Sequence, residues 1–437
     1  MGRPALQPGP APATLLPGGQ WGVGSKISGM RGGVRRCLVL AAVAALAAAE
    51  PARAQDRPGP YTVGRDGQLV FGGDVSAALS PPDDDAFFNY TDYELNAIRM
   101  ARARVQAEWR LGRVTFVGEM RIQSASGIDV PAGYVRWQPS VRAGLTIQAG
   151  RIPPVVGAFP RRAYARDTPL FGVPLAYQYL TSLRSDALPR SFGDLLLMRG
   201  RGWQPFYPVG SKAAAPGLPL MSTSNWDIGA EASWRHGWFD AAGAVTLGSP
   251  AEPVVRETND GVGWSGRVAA RLPAGVTLGV SGARAPWIRN SVLSQLPDGA
   301  SHPHTQTLLG VDAEWGLAHW LVRSEWLYSR FQIPLIDEPV VDQELRAWSG
   351  FVDARYRLLA RWQLGVRAEH LGFATVSSPL SARPPTAWDA PVDRVEVGVG
   401  FRLTRQLELR GGYQYDWRSG GRVRERGYPI VGFLLWF

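Results

Sequence analysis

From Leu69 onward the chain alternates apolar and polar residues with a period of two. Within 97–111, residues Ala101, Ala103, Val105, Ala107, Trp109 and Leu111 share one face, and Arg102, Arg104, Gln106, Glu108 and Arg110 share the other. After only Gly112 and Arg113 the alternation resumes: Val114, Phe116, Gly118, Met120 and Ile122 against Thr115, Val117, Glu119, Arg121 and Gln123. Such patterning predicts strands with one apolar and one polar face rather than helices. Carried to the end of the chain, it predicts sixteen strands, at 69–79, 97–111, 114–123, 132–137, 145–150, 226–236, 238–248, 262–272, 276–285, 305–315, 318–329, 346–358, 362–371, 393–403, 406–417 and 428–437. One stretch breaks the rule. Residues 151–225 open on Arg151-Ile-Pro-Pro and go on through Pro169, Pro174, Pro189, Pro205, Pro208, Pro216 and Pro219, which excludes a long helix or a central strand. A loop this long in a compact domain usually has a function of its own.

The links between strands alternate in length. Gly112-Arg113, Gly237, 273–275, Gly316-Leu317, 359–361 and Thr404-Arg405 are short; 80–96, 151–225, 286–304, 330–345, 372–392 and 418–427 are long. Outer-membrane β-barrels sort their connections this way, with short periplasmic turns and long external loops. An even strand count also places both ends of the barrel on the short-turn side. The faces agree with this reading. In 393–403, Val395, Val397, Val399, Phe401 and Leu403 point one way and Glu396, Gly398, Gly400 and Arg402 the other. Aromatics gather at strand ends: Trp109, Trp137, Trp234, Trp315, Trp320, Tyr356 and Trp362 near short links, and Trp226, Trp264, Trp326, Tyr328, Trp348, Tyr415 and Trp417 near long ones. Two such belts fit the two membrane–water interfaces. The expected architecture is an all-β, closed antiparallel transmembrane barrel over 68–437, in the bacterial outer membrane and in contact with its lipid.

Residues 1–54 read as an N-terminal extension and signal peptide. Arg31, Arg35 and Arg36 precede the apolar run 37–49, and Ala52-Arg53-Ala54 offers cleavage after Ala54. Met30 is an alternative start to Met1, and 55–67 would be a short periplasmic lead-in. The one cysteine, Cys37, falls in the removed segment, so the mature chain has no disulfide chemistry. The formal charge of +10 also changes. Residues 1–54 hold six of the 47 basic and one of the 37 acidic residues, which leaves +5. That mild excess does not suggest nucleic-acid binding.

The ending Tyr428-Pro-Ile-Val-Gly-Phe-Leu-Leu-Trp-Phe437 resembles the last strand of Gram-negative outer-membrane barrels, with Val431, Phe433, Leu435 and the terminal Phe437 at alternate positions. The layout of the whole mature chain resembles the sixteen-stranded porins. The segment Gly150-Arg-Ile-Pro-Pro-Val-Val-Gly157 also resembles one that follows a strand in phosphate-selective porins. The resemblance implies recognition of 431–437 by the barrel assembly machinery and a possible homotrimer. It further implies that 151–225, the third loop on the long-link side when the link 124–131 is counted, folds into the lumen.

That loop carries nine cations against three carboxylates, more positive excess than the mature chain as a whole. Arg151, Arg161, Arg162, Arg166, Arg184 and Arg190 are its candidate constriction residues. Arginines beside a narrow water path favour anions, although they could instead pin the loop to wall carboxylates. Arg102, Arg104, Glu108, Arg121, Arg267, Arg323, Glu325, Asp353, Arg355 and Arg367 are the candidate pore wall, where opposed charges also form cross-strand ladders. The function expected is passive diffusion of small hydrophilic solutes with a mild anion preference. A substrate-specific or hydrophobic-solute barrel, with Tyr164, Tyr177 and Tyr179 at the solute, and a non-conducting structural or adhesion barrel are the alternatives. No enzyme, cofactor or metal site is predicted: His302 and His304 lack a supporting carboxylate, and His370 lacks a nucleophile beside it.

Overall fold

The computed structural model describes residues 61–63, 68–81, 101–123, 127–140, 142–160, 168–223, 226–298, 300–338, 343–378, 384–421 and 423–437. The expected signal segment 1–54 with its expected cleavage site, most of the expected lead-in 55–67, residues 97–100, and Arg161, Arg162, Tyr164 and Arg166 lie outside them.

Among the described residues, sixteen antiparallel strands close into a barrel. They are β1 (Leu69–Leu79), β2 (Arg102–Leu111), β3 (Val114–Gln123), β4 (Gly127–Ser140), β5 (Leu145–Ile152), β6 (Asp227–His236), β7 (Phe239–Thr246) and β8 (Gly263–Leu272), followed by β9 (Val276–Pro286), β10 (Thr305–Leu317), β11 (Trp320–Ile333), β12 (Gln343–Arg357), β13 (Trp362–Phe373), β14 (Val392–Arg402), β15 (Leu407–Arg418) and β16 (Glu425–Trp436). Each pairs with the next, and β1 closes on β16 from Asp74↔Trp436 to Leu79↔Val431. Closure leaves no unpaired sheet edge, which a lipid environment demands. Phe437 exchanges backbone hydrogen bonds of 3.0 and 3.1 Å with Gly73. Beyond that point the three-residue strand Tyr61–Val63 pairs with Phe71 to Leu69 and covers the edge of β1 that β16 does not reach.

Burial is inverted relative to a protein in water. On β14 the apolar Val395 and Val397 are exposed while Arg394 and Glu396 are buried, and on β3 Phe116 and Met120 are exposed while Glu119 and Arg121 are buried. An apolar exterior over charged inner rows is what a barrel in lipid requires. Val431 and Phe433 lie exposed on the outer face, and Leu434 is buried on the opposite one. Trp109, Trp137, Trp234, Trp320 and Trp362 are exposed toward the short-turn end, and Trp264, Trp326, Tyr415 and Trp417 toward the other.

The predicted strands at 69–79 and 114–123 coincide with β1 and β3, and most others differ by one to three residues at an end. The strand expected at 132–137 runs longer, through a register shift opposite Glu119 and Arg121 that masks its alternation. The tight turns rest on backbone in the left-handed region, as at Gly112 (φ 59°) and Gly237 (φ 54°). One turn was misplaced by its glycine. Gly316 and Leu317 belong to β10, paired with Leu321 and Trp320, and the chain turns at Ala318 with φ 52°. Trp226 is a second correction: it is buried with Val117, Ala132, Tyr134, Ile152 and Val155 rather than placed in a belt.

Candidate functional site

The segment between β5 and β6 forms little regular structure. It holds two short helices, α1 (Leu175–Gln178) and α2 (Phe192–Leu197), and a two-residue ladder between Ala187–Leu188 and Val209–Gly210. Its prolines leave many backbone groups without a ladder partner, and buried groups of this kind must find one. They find it in the inward carboxylates of β11, β13 and β14. Glu325 Oε2 accepts from the N–H groups of Ala158 (2.7 Å) and Phe159 (3.0 Å). Glu396 Oε1 accepts from Phe171 (2.6 Å) and Gly172 (3.0 Å), and Glu369 Oε2 from Leu175 (2.6 Å). The Tyr177 hydroxyl donates to Glu325. In the other direction, Arg367 Nη2 donates to the Gly172 carbonyl (2.5 Å) and Arg394 Nη1 to that of Val173 (2.9 Å). Gly172 lies close to this pair: a Cβ there would stand 2.7 Å from Glu396 Oε2 and 2.9 Å from Arg367 Nη2, so a larger residue would displace the ends of these side chains.

These wall charges are themselves paired. Arg367 Nε reaches Glu369 at 2.8 Å and its Nη2 reaches Glu396 at 2.7 Å, while Arg394 Nε reaches Asp416 at 2.8 Å. All five side chains are 0 % exposed. Charges buried to that degree are tolerable only when paired and hydrogen-bonded. Toward the long-loop end the inner face turns apolar. Phe331, Ile333, Leu345, Leu371 and Phe373 of the wall pack with Leu175, Tyr179, Leu183, Leu188, Phe192 and Leu195 of the segment, in one core with Trp287 and Trp388 from neighbouring long links. Full burial of each such side chain is worth about 1.5–3 kcal/mol. Asp389, also from a long link, accepts from the N–H groups of Ser182 (2.6 Å) and Gly200 (2.9 Å). Its burial raises the carboxyl above the usual carboxylate range, against backbone N–H groups that favour the ionised form.

On the wall formed by β1–β8, Asp74, Arg104, Glu119, Arg121, Gln148 and Glu231 are likewise buried, whereas Arg136 and Glu108 keep partial access to solvent. Arg104 donates from Nε to Asp74 (2.8 Å) and Arg121 lies 3.1 Å from Glu119. Arg136 Nη2 donates to the Tyr134 hydroxyl at 2.8 Å and stands 4.0 Å from Glu108. Gln148 Nε2 donates to Glu231 at 2.7 Å, and Arg267 pairs with Asp312 at 2.6 Å. A cavity of about 670 Å³ is lined by Tyr134, Arg136, Gln148, Trp226, Glu231 and Arg267 among others.

The predicted loop arginines separate. Arg151 donates from Nε to the Trp226 carbonyl at 2.9 Å and lies 3.4 Å from Asp129. Arg184 is buried, bonded to both Asp186 oxygens at 2.9 and 3.0 Å and to the Pro205 carbonyl. Arg190 is exposed. Among the wall candidates, Arg323 pairs with Glu314 (2.8 Å), Arg355 with Asp353 (3.3 Å) and Glu108 with Arg110 (3.2 Å), while Arg102 is half-buried on β2. Arg394, Asp416 and Asp389 were not among the predicted wall residues. The first two share the inward phase of Glu396 and Gln414, so the two-residue period alone could have found them. Tyr177 and Tyr179 are core residues, the latter 6.3 Å from the Phe373 ring. His370 Nδ1 lies 2.6 Å from Asp393 Oδ1, both partly exposed. Among the described residues no group of three or more His, Cys, Asp or Glu could hold a metal.

Comparison with known proteins adds the fold. Neither a family model nor a curated protein matches the sequence. Solved structures do match. The anion-selective porin from Comamonas acidovorans is similar with TM-score 0.52 and 11 % identity, over 84 % of this chain and 99 % of that one. By fold, the chain is similar to the porins: a closed antiparallel barrel of sixteen described strands. OmpF of Salmonella typhi, solved with daunomycin, is similar with TM-score 0.52 and 11 % identity over 86 % and 100 % of the two chains. The outer membrane channel DcaP of Acinetobacter baumannii follows with TM-score 0.51 and 8 % identity over 84 % and 96 %.

Proposed function

We propose that this porin-like barrel is a passive channel for small hydrophilic solutes, with the segment between β5 and β6 as its constriction and a mild preference for anions. The observation that carries this is the asymmetry of the inner wall. The segment is bonded to the inward carboxylates of β11, β13 and β14, whereas the polar cavity of about 670 Å³ borders β4–β8. The water path therefore runs along Tyr134, Arg136, Gln148 and Arg267. Wall charges pair with one another, so the net field comes from the loop's excess of cations. Of the six candidate constriction residues, Arg151 and Arg184 are engaged by Asp129 and Asp186, which leaves Arg161, Arg162, Arg166 and Arg190 to contribute to the preference. One structural neighbour is itself named an anion-selective porin. The reading assigns no catalytic role, and His370 and Asp393 serve only as a polar pair. Reversal potential across a planar bilayer under a salt gradient tests it. An anion-selective sign that falls toward zero in an R161Q/R162Q/R166Q/R190Q variant is expected; a cation-selective sign, or no conductance, refutes it.

A further inference from the structure

The outward face of β9–β12 carries a feature that a diffusion channel does not need. Near the long-loop end, Arg284, Thr307, Arg330 and Arg346 follow one another across four adjacent strands, in the register Arg284↔Thr307, Thr307↔Arg330 and Arg330↔Arg346. Their phase is outward: Val280 and Leu309 on the same faces are exposed, whereas the alternate Leu308, Phe331, Leu345 and Ala347 are buried. At the spacing of neighbouring strands the row spans roughly 15 Å. Arg330 and Arg346 stand directly opposite each other, a like-charge pair that costs stability unless an anion is shared between them. Glu344 supplies one anion, 3.1 Å from Arg330 and 3.0 Å from Arg346. Arg284 donates to the Thr305 hydroxyl at 3.3 Å and, among the described residues, is paired with no carboxylate. The patch thus keeps two uncompensated positive charges on a surface that faces lipid.

Its depth indicates the counter-ion. Tyr328 and Trp348 sit one step down the same strands, and Trp264, 63 % exposed, is the register neighbour of Arg284. Aromatic side chains of this kind mark the headgroup level. Guanidinium on the hydrocarbon side of that level is costly, whereas beside a phosphate it forms bidentate charge-assisted bonds. At the same end, the described residues of β1 and β4 instead expose Leu79, Ile128 and Val130.

We propose that this row is a docking site for the phosphorylated headgroup of an outer-leaflet glycolipid, with the phosphates held by Arg284, Arg330 and Arg346 and the acyl region resting on Trp264, Tyr328 and Trp348. The assignment is independent of what passes through the barrel. The test uses the full mature chain in detergent micelles and native mass spectrometry. Two probes are compared: a bisphosphorylated, acylated disaccharide lipid and the same lipid stripped of phosphate. Retention of the phosphorylated probe is expected to fall about tenfold in an R284Q/R330Q/R346Q variant, with the stripped probe retained weakly and equally by both proteins. Heat-modifiable gel mobility checks folding, and single variants R284Q and R346Q, expected to lose part of the binding, cover the case in which the triple variant fails to fold. R235Q/R271Q, at the opposite end, should leave retention unchanged. Equal retention of the phosphorylated lipid by parent and variant overturns the proposal, as does equal loss of both probes. Complete displacement by inorganic phosphate alone would make the row a simple anion site. An altered association state with lipid retained would make it a contact between barrels.

Discussion

The two halves of the inner wall are built from the same residue types and behave differently. On β11–β15, Glu325, Arg367, Glu369, Arg394, Glu396 and Asp416 are buried and spend their hydrogen bonds on each other and on the backbone of the segment that precedes β6. On β4–β8, Arg136 and Arg267 keep partial access to solvent and border a cavity. A carboxylate on the first wall acts as an acceptor for loop backbone; on the second, Glu231 lines a cavity. Charge along a barrel strand therefore has no fixed role. What covers it decides whether it holds structure or meets solute.

The sharpest way to break that contrast is Glu396→Ala. The change removes the acceptor of Phe171 and Gly172 and one of the carboxylates neutralising the buried Arg367. A destabilisation of about 3–5 kcal/mol is expected, read as a lowered urea midpoint in lipid vesicles, with larger and noisier single-channel currents as the segment loosens. An unchanged midpoint would mean that the covering is ornamental. Glu325→Ala should cost less, about 1–3 kcal/mol, because it orphans two N–H groups and the Tyr177 hydroxyl without stranding a charge of opposite sign. Hydrogen exchange at Ala158 and Phe159 should quicken, and Glu325→Gln should recover part of the protection.

Asp389 supplies a pH-dependent version of the same comparison. Its carboxyl is raised by burial, so the folded state holds the proton more tightly than the unfolded one. The associated stability is fully present below the ordinary carboxylate value, about 3.9, and is lost as pH rises through the raised folded value. Asp389→Asn cannot titrate. Its unfolding midpoint relative to the parent should therefore rise across that window, and parallel curves would contradict the burial effect. The smallest change is expected on the open wall. Arg136→Gln should alter stability by about 0–1 kcal/mol, as partly solvated pairs do, while shifting the reversal potential. If it destabilised the barrel as much as Glu396→Ala, the two walls would not differ in kind.

The barrel was legible because lipid outside and charge inside impose a two-residue period that each strand must repeat. Local pattern located β1 and β3 to the residue and placed the long and short links at opposite ends. It failed where one residue served two purposes, as at Gly316, which has the look of a turn and lies in a strand, and at Trp226, which has the look of a belt and is buried. It also left the loop arginines as a set, although Arg184 faces Asp186 inside the segment while Arg190 is exposed.

What the chain's own order of residues determined was the strand count, the two faces, the end at which the long loops lie and the existence of a proline-rich insertion. Only the tertiary structure decided where that insertion's backbone would be satisfied. The prolines remove regular ladders without naming a substitute, and the substitutes, Glu325, Glu369 and Glu396, come from strands far away in sequence. Three-dimensional closure also set Arg284, Arg330 and Arg346 side by side, since register across four strands is fixed by pairing and not by any one segment's pattern.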